Sequence, residues 1–144
     1  MKDTDYKILE SIEESLMHRV YQTGKRCSIH LLYLQGGQIP VRYVIQNMKL
    51  MFLHYILQQK EDSLLLKFFN AQCQFPSKCD WVTKVKFLLE YFNIGLTMEE
   101  IKHTTKKIFK KLVKKCVHLK ALKIKLQSKN APPLVKEERL IMNI

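Results

Sequence analysis

The fold class is decided by residues 97–127, which read TMEEIKHTTKKIFKKLVKKCVHLKALKIKLQ. Thr97 and Glu100 have the spacing of a capping box, in which each side chain bonds the backbone N–H of the other residue. An apolar series then recurs at spacings of three and four residues, the period of a helix with one buried face. We therefore expect one long helix that ends at about Gln127. Its predicted buried stripe is Ile101, Thr105, Ile108, Leu112, Cys116 and Leu119.

The rest of the chain has the same helical character in shorter pieces. Only four glycines and four prolines occur in 144 residues, which favours long helices with few breaks. Helices are predicted over residues of about 4–22, 28–34, 40–59, 64–74 and 80–92. The sequence thus predicts an all-α, compact bundle of about six helices over residues 1–130, followed by a C-terminal tail over residues 131–144.

Local signals mark the ends and faces of these helices. In the first helix, Ile8, Ile12, Leu16 and Val20 follow each other at spacings of four, which predicts a buried stripe. Gly24 is predicted to end this helix in a left-handed conformation, and Gly36-Gly37 to end the next. Trp81, Phe68, Phe69, Phe87 and Phe92 are expected in the core, while Tyr33 and Tyr43 could present rings beside Arg42.

Charge is distributed unevenly along the chain. The net charge is +12, of which residues 1–72 contribute +2 and residues 73–144 contribute +10. Such a bias points to a polyanionic partner, either nucleic acid or an anionic membrane surface, although a solvated basic face is the simpler alternative. Residues 41–57 are the most apolar stretch, and polar and charged residues within it argue against a membrane span.

The lysines of the last helix are the strongest functional signal. Eleven lysines and no acidic residue occur between Lys102 and Lys129. Like charges four residues apart destabilise a helix, which argues for a functional reason for the run. Lysine meets phosphate as a point charge without reading bases, so the run predicts contact with the RNA or DNA backbone. The candidate nucleic-acid-binding residues are Lys106, Lys107, Lys110, Lys111, Lys114 and Lys115, with Arg42 and Lys49 as additions.

Chemical motifs typical of enzymes are missing from the sequence. It contains no Gly-rich phosphate loop, no nucleophile elbow and no H-E-x-x-H zinc motif. The four cysteines do not form the close-spaced pairs of a structural zinc site, and Cys116 and His54 are expected to be ordinary buried residues. We expect no catalytic residue, no metal and no cofactor, and an intracellular location, nuclear or cytoplasmic.

One stretch resembles a known family. Residues 32–45 read LYLQGGQIPVRYVI and residues 50–57 read LMFLHYIL, followed by EDSL at 61–64, DWV at 80–82 and TMEEI at 97–101. This pattern resembles the segment that follows the polymerase core in non-LTR (LINE-like) retrotransposon reverse transcriptases, over residues of about 8–118. The family often has two adjacent basic residues where this chain has Met48-Lys49, which puts a phosphate contact there in doubt.

The resemblance implies a helical thumb-and-linker region that holds nucleic acid beside a reverse transcriptase core, which would be a further partner. It implies no catalysis here, because the aromatic-Ala-Asp-Asp signature of the polymerase is absent. Two alternatives remain open from the sequence. One is a helical protein-interaction module whose lysines meet an acidic partner, and the other is an inert remnant of a retroelement.

Overall fold

The all-α class is confirmed. The computed structural model describes residues 2–24, 27–78 and 80–127, so the predicted tail lies outside the described residues. Within them the chain forms seven helices and no strand. They are α1 (Asp3–Val20), α2 (Ile29–Gly36), α3 (Val41–Leu57), α4 (Leu64–Gln74), α5 (Trp81–Tyr91), α6 (Met98–His103) and α7 (Lys106–Gln127).

The chain divides into two compact units. One contains the residues up to Val44 together with those from His118 onward, and the other contains Ile45–Val117. In the first unit α1 packs against α2, and Met17, Leu32 and Tyr33 form a buried cluster. In the second unit α4 packs against α5. The single domain predicted over residues 1–130 stays a prediction.

The buried face of α1 is not the predicted one. Its four-spaced apolar residues Ile8, Ile12, Leu16 and Val20 are between 57% and 65% exposed. The inward face instead carries Tyr6 and Met17, which are buried, with Glu10 and Glu13 half-buried between them. On this face both carboxylates meet partners on α2 and α3.

Those partners join three helices of the first unit. Glu13 Oε2 accepts hydrogen bonds from the Tyr33 hydroxyl at 2.9 Å and from the Val41 N–H at 2.8 Å. The second bond satisfies one of the free N–H groups at the start of α3. Glu10 accepts from the Arg42 guanidinium at 2.8 Å. Polar residues of α1 therefore hold the start of α3.

Three helix ends among the described residues use left-handed backbone. The residue with positive φ after α1 is Gln22, at 52°, so the prediction that Gly24 has this role is wrong. Asn93 takes φ of 53° after α5, as expected for a residue type that tolerates this region, and Gly37 takes 61° after α2.

The predicted long final helix is two helices. The capping box is present, since Glu100 N–H bonds Thr97 Oγ1 at 3.3 Å and Thr97 N–H bonds Glu100 Oε2 at 2.8 Å. The helix that it starts ends at His103, because Thr104 is extended and its hydroxyl bonds the Glu100 carbonyl at 2.6 Å. In a continuous helix the Ile108 N–H would bond the Thr104 carbonyl. Here it bonds Thr105 Oγ1 instead, at 3.5 Å. A new helix, α7, begins at Lys106.

The buried stripe of α7 is also offset from the predicted one. Phe109, Val113, Val117 and Ala121 are fully buried, whereas Ile108 and Leu119 are exposed. Ile101, in α6, belongs to the predicted stripe and is fully buried, as predicted. Since α7 starts afresh after the Thr104 break, the rotation of α6 does not carry over into it.

Candidate nucleic-acid interface

The six predicted lysines are all exposed side chains of α7. This helix has 22 residues and none of them is acidic, so its charge is not offset along its own length. Its apolar stripe faces inward through Phe109 and Val113. The ammonium groups are therefore left for the surface, on the other sides of the same helix. They belong to Lys106, Lys107, Lys110, Lys111, Lys114 and Lys115.

Ion pairing within the chain does little to neutralise this surface. Among the residues that the structure describes, no carboxylate forms an ion pair with Lys106, Lys107, Lys110, Lys111 or Lys115. Like charges at a spacing of four cost a helix a few tenths of a kcal/mol per pair, or about 0.2–0.5 kcal/mol. A bound polyanion would remove this repulsion.

The lysines divide into two sets by their position around α7. A helix turns about 100° per residue, so Lys106 and Lys110 lie on one side of the buried stripe, whereas Lys107, Lys111, Lys114 and Lys115 lie farther round, towards solvent. Lys106 and Lys110 also line a groove between α3 and the start of α7, within the second unit. We call Lys106 and Lys110 the groove lysines.

This groove, which we call the α3–α7 groove, has a volume of about 820 Å³. Its walls are largely apolar and include Met48 and two aromatic rings of α3. The ring of Phe52 is stacked on that of Tyr55, with centroids 5.9 Å apart and planes 17° apart. Both side chains are well exposed, at 45% and 55%. The structure therefore places accessible aromatic faces beside the groove lysines.

His54 fixes the start of α7 beside this groove. The imidazole is buried, and its Nε2 lies 2.8 Å from the Thr104 carbonyl oxygen. A carbonyl can only accept, so Nε2 carries the hydrogen in this pair. The ring also stacks on Phe109, with centroids 5.2 Å apart. His54 is thus a structural residue that ties α3 to the break before α7.

Arg42 is committed to contacts inside the first unit. Its Nε bonds Glu10 Oε1 at 2.8 Å, its NH2 group lies 3.1 Å from Asp3 Oδ1, and its guanidinium stands 5.1 Å from the centre of the Tyr6 ring. Partial burial acts to lower the pKa of Arg42, but the carboxylates of Glu10 and Asp3 outweigh it and raise that pKa. Two carboxylates at the guanidinium oppose an added phosphate, so the sequence-based choice of Arg42 receives no support from its surroundings.

Lys49, the other addition to the lysine set, is half-buried on α3. It does not line the α3–α7 groove. The phosphate contact of Lys49 stays a prediction, and the six lysines of α7 are the exposed set of the candidate site.

Aromatic residues were the part of the site that the sequence pattern misplaced. Phe68 and Phe87 were expected in the core but are exposed, and Tyr33 and Tyr43 were expected as accessible rings but are buried. Phe52 and Tyr55 were not among the predicted site residues, and they belong to a wide apolar stripe on α3. A stripe too wide for one buried face was the available signal, because some of its members must face solvent.

The described cysteines, Cys27, Cys73 and Cys116, are half-buried free thiols. Cys116 is half-buried on α7, and its burial raises the pKa of the thiol, which disfavours the thiolate. No group of three or more His, Cys, Asp or Glu side chains suited to a metal is found within residues 2–24, 27–78 and 80–127. Cys79 lies outside the described residues.

Comparison with known proteins adds no relative. No protein-family model, curated protein or solved structure matches this chain. In the part of the chain that the structure describes, none of the helices combines the length and apolar character needed to cross a membrane.

Proposed function

We propose that this chain is a non-catalytic nucleic-acid-binding module that holds the phosphate backbone through the lysines of α7. The observation that carries the proposal is the exposure of all six lysines on a helix whose apolar stripe is buried and which has no acidic residue. A membrane role is less favoured, because Phe109, the aromatic residue of that helix, is buried and cannot enter a bilayer.

Lysine chemistry accounts for the mode of binding. Flexible ammonium groups meet phosphate oxygens as point charges, so α7 would bind RNA and DNA with little base readout. Each contact releases counterions from the nucleic acid, and affinity therefore falls steeply as salt rises. The resemblance to the segment after a retrotransposon polymerase core favours the same role, with a reverse transcriptase core as a further partner inside the cell.

Fluorescence anisotropy across a salt series tests the proposal, with labelled RNA and duplex DNA as probes. The test variant changes Lys107, Lys111, Lys114 and Lys115 to Gln. We expect the slope of log K against log salt to become shallower by about 0.7 to 0.9 for each lysine that contacts phosphate.

A matched control makes the same change of charge away from α7. Lys60, Lys67, Lys84 and Lys86 are exposed lysines of other segments, and their change to Gln should leave the slope close to that of the wild type. An equal decrease of the slope in both variants would mean that binding depends on the net charge of the protein and not on α7. No binding at low salt by protein with a helical circular dichroism spectrum would refute the proposal.

A protein-interaction role is the second candidate, and the exposed face of α1 favours it. Ile8, Ile12, Leu16 and Val20 present an apolar stripe to solvent at helical spacing, as helices that pair with a partner protein do. An acidic protein that binds the lysines would be displaced by heparin as well. A complex that resists heparin and unrelated nucleic acid, but is lost when Ile12 and Leu16 are changed to Ser, would favour this role over the first.

A further inference from the structure

The α3–α7 groove combines features that a phosphate clamp does not need. A helix that meets only phosphates requires charge at the surface, whereas this groove is apolar and has exposed rings. Its volume of about 820 Å³ lies in the range of pockets that bind small organic groups, which is roughly 300–1,000 Å³. The groove is thus large enough for a flat heterocycle with its sugar.

We propose that the α3–α7 groove receives an unpaired base of a single-stranded nucleic acid, while the groove lysines hold the adjoining phosphates. This inference rests on the proposed function, since it uses two of the same lysines. It adds a preference of the site for single strands over duplexes. RNA and single-stranded DNA share the chemistry that the groove would recognise.

Aromatic geometry supports a stacked base. Phe52 is held at its edge by Trp81, whose ring lies 5.6 Å away with the planes at 79°. Tyr55 stacks on Phe52 and is the more exposed of the two, so a face of its ring is the natural platform. Stacking on aromatic side chains tolerates any base, because every base has a π face.

Charge complementarity supports a nucleic-acid occupant over an apolar peptide. The groove lysines, Lys106 and Lys110, are exposed and stand four residues apart on one side of α7, at the edge of the groove. No acidic side chain lines the groove among the described residues. An apolar peptide would leave both ammonium groups without a partner, whereas a nucleotide brings its own phosphate.

Among the described residues, Asn47 places a buried polar atom without a partner at the wall of the groove. Asn47 lines the groove, and its Oδ1 is buried with no hydrogen-bond partner within the described part of the chain. A buried acceptor without a partner is costly, so native proteins rarely keep one without use. With the amide turned towards the groove, the N3–H of uracil or thymine, or an exocyclic amino group of another base, would supply the missing donor.

Binding of paired probes separates this inference from simple clamping. The probes are fluorescein-labelled single strands of uridine or thymidine, about 12 nucleotides long, and a duplex of thymidine and adenosine strands of the same length. A pure clamp favours the duplex, because its charge density is higher. We expect the single strands to bind about fivefold tighter or more at equal salt.

Variants at the aromatic platform identify the groove. Changing Tyr55 to Leu should lower single-strand affinity about fivefold or more and leave duplex affinity unchanged. The matched control is Phe87→Leu on α5. The Phe87 ring is similarly exposed, stacks on Tyr91 with centroids 5.9 Å apart, and does not line the groove. It should change neither affinity.

The lysine sets provide a second comparison. Changing Lys106 and Lys110 to Gln should remove the preference for single strands. Changing Lys107 and Lys111 to Gln should lower the affinity for single strand and duplex by the same factor. Photocrosslinking of the wild type with a 4-thiouridine single strand should mark α3 at Phe52 or Tyr55, and this readout does not depend on a variant that folds.

The outcomes distinguish the two proposals. Equal affinity for single strand and duplex, with no effect of Tyr55→Leu and no crosslink to α3, overturns the groove inference and leaves the clamp intact. No binding to any probe overturns both. Single-strand preference that persists in the Tyr55 variant, with crosslinks outside α3, also overturns the groove inference.

Discussion

Glu13 accepts a hydrogen bond from the hydroxyl of Tyr33 across 2.9 Å, and this pair connects α1 to α2. The same carboxylate oxygen accepts from the first N–H of α3. One acidic side chain thus replaces the apolar contact that the sequence pattern of α1 would have predicted.

Changing Glu13 to Ala should lower the free energy of unfolding by about 1.5–3 kcal/mol, because it removes the acceptor that the Tyr33 hydroxyl and the Val41 N–H share. Urea denaturation measures the loss. Glu14→Ala is the matched control on the same helix, since Glu14 is exposed and its carboxylate lies 3.9 Å from His18 Nε2. It should change stability by less than about 0.5 kcal/mol. Equal losses in both variants would contradict a special role of Glu13.

Alkaline pH should destabilise the fold through Tyr33. Burial, and then the hydrogen bond to Glu13, raise the pKa of Tyr33 well above its ordinary value of 10.0. The unfolded chain therefore loses this proton at lower pH than the folded chain does. Stability from Tyr33 is fully present below about pH 10 and is lost as the pH rises above it, by up to about 1.4 kcal/mol per pH unit.

The Tyr33→Phe variant isolates this effect. It has no phenolic proton at position 33, so its stability should fall less than that of the wild type between about pH 9 and pH 11. Lysine titration occurs in both proteins and cancels in the difference. Parallel pH profiles from urea denaturation would show that the Tyr33 proton is not linked to folding.

Loss of the His54 side chain should be costly. His54→Ala removes the donor to the Thr104 carbonyl and opens a cavity against Phe109, so we expect a loss of about 2–4 kcal/mol. His103→Ala serves as the control, because His103 is exposed and only approaches Glu99. Thermal or urea unfolding gives both values. If the two variants unfold alike, His54 does not tie α3 to the start of α7.

The two faces of α1 predict opposite sensitivities. Met17 is buried against Leu32 and Tyr33, and Met17→Ala should cost about 2–4 kcal/mol. Ile12 is exposed, and Ile12→Ala should change stability by less than about 0.5 kcal/mol. A large loss at Ile12 in denaturation experiments would mean that its stripe is covered, for example by a second copy of the chain.

Local signals in the sequence predicted the class and most of the helix ends. The Thr97–Glu100 capping box is confirmed because it depends on residues within one turn of each other. The predictions of which face of α1 and of α7 is buried were wrong, because residues at spacings of three and four fit more than one face of a helix. Which face is buried depends on residues far away in the chain, as Glu10 and Arg42 show.

The candidate site divides in the same way. The exposed lysines of α7 followed from charge alone, since six ammonium groups cannot be buried without partners. The α3–α7 groove did not, because it requires α3 to stand beside the start of α7. Phe52 and Tyr55 have the apolar character of core residues, and only their neighbours in the fold show that they are exposed.

By itself, the sequence determined that this chain is helical, where its charge lies and which residues begin and end most helices, because those properties depend on short-range spacing. Tertiary structure decided the rest. Thr104 takes an extended conformation and its carbonyl accepts from the His54 ring, so the predicted single helix is divided into α6 and α7. That break sets the rotation of α7, and the rotation decides which lysines line the groove and which face solvent.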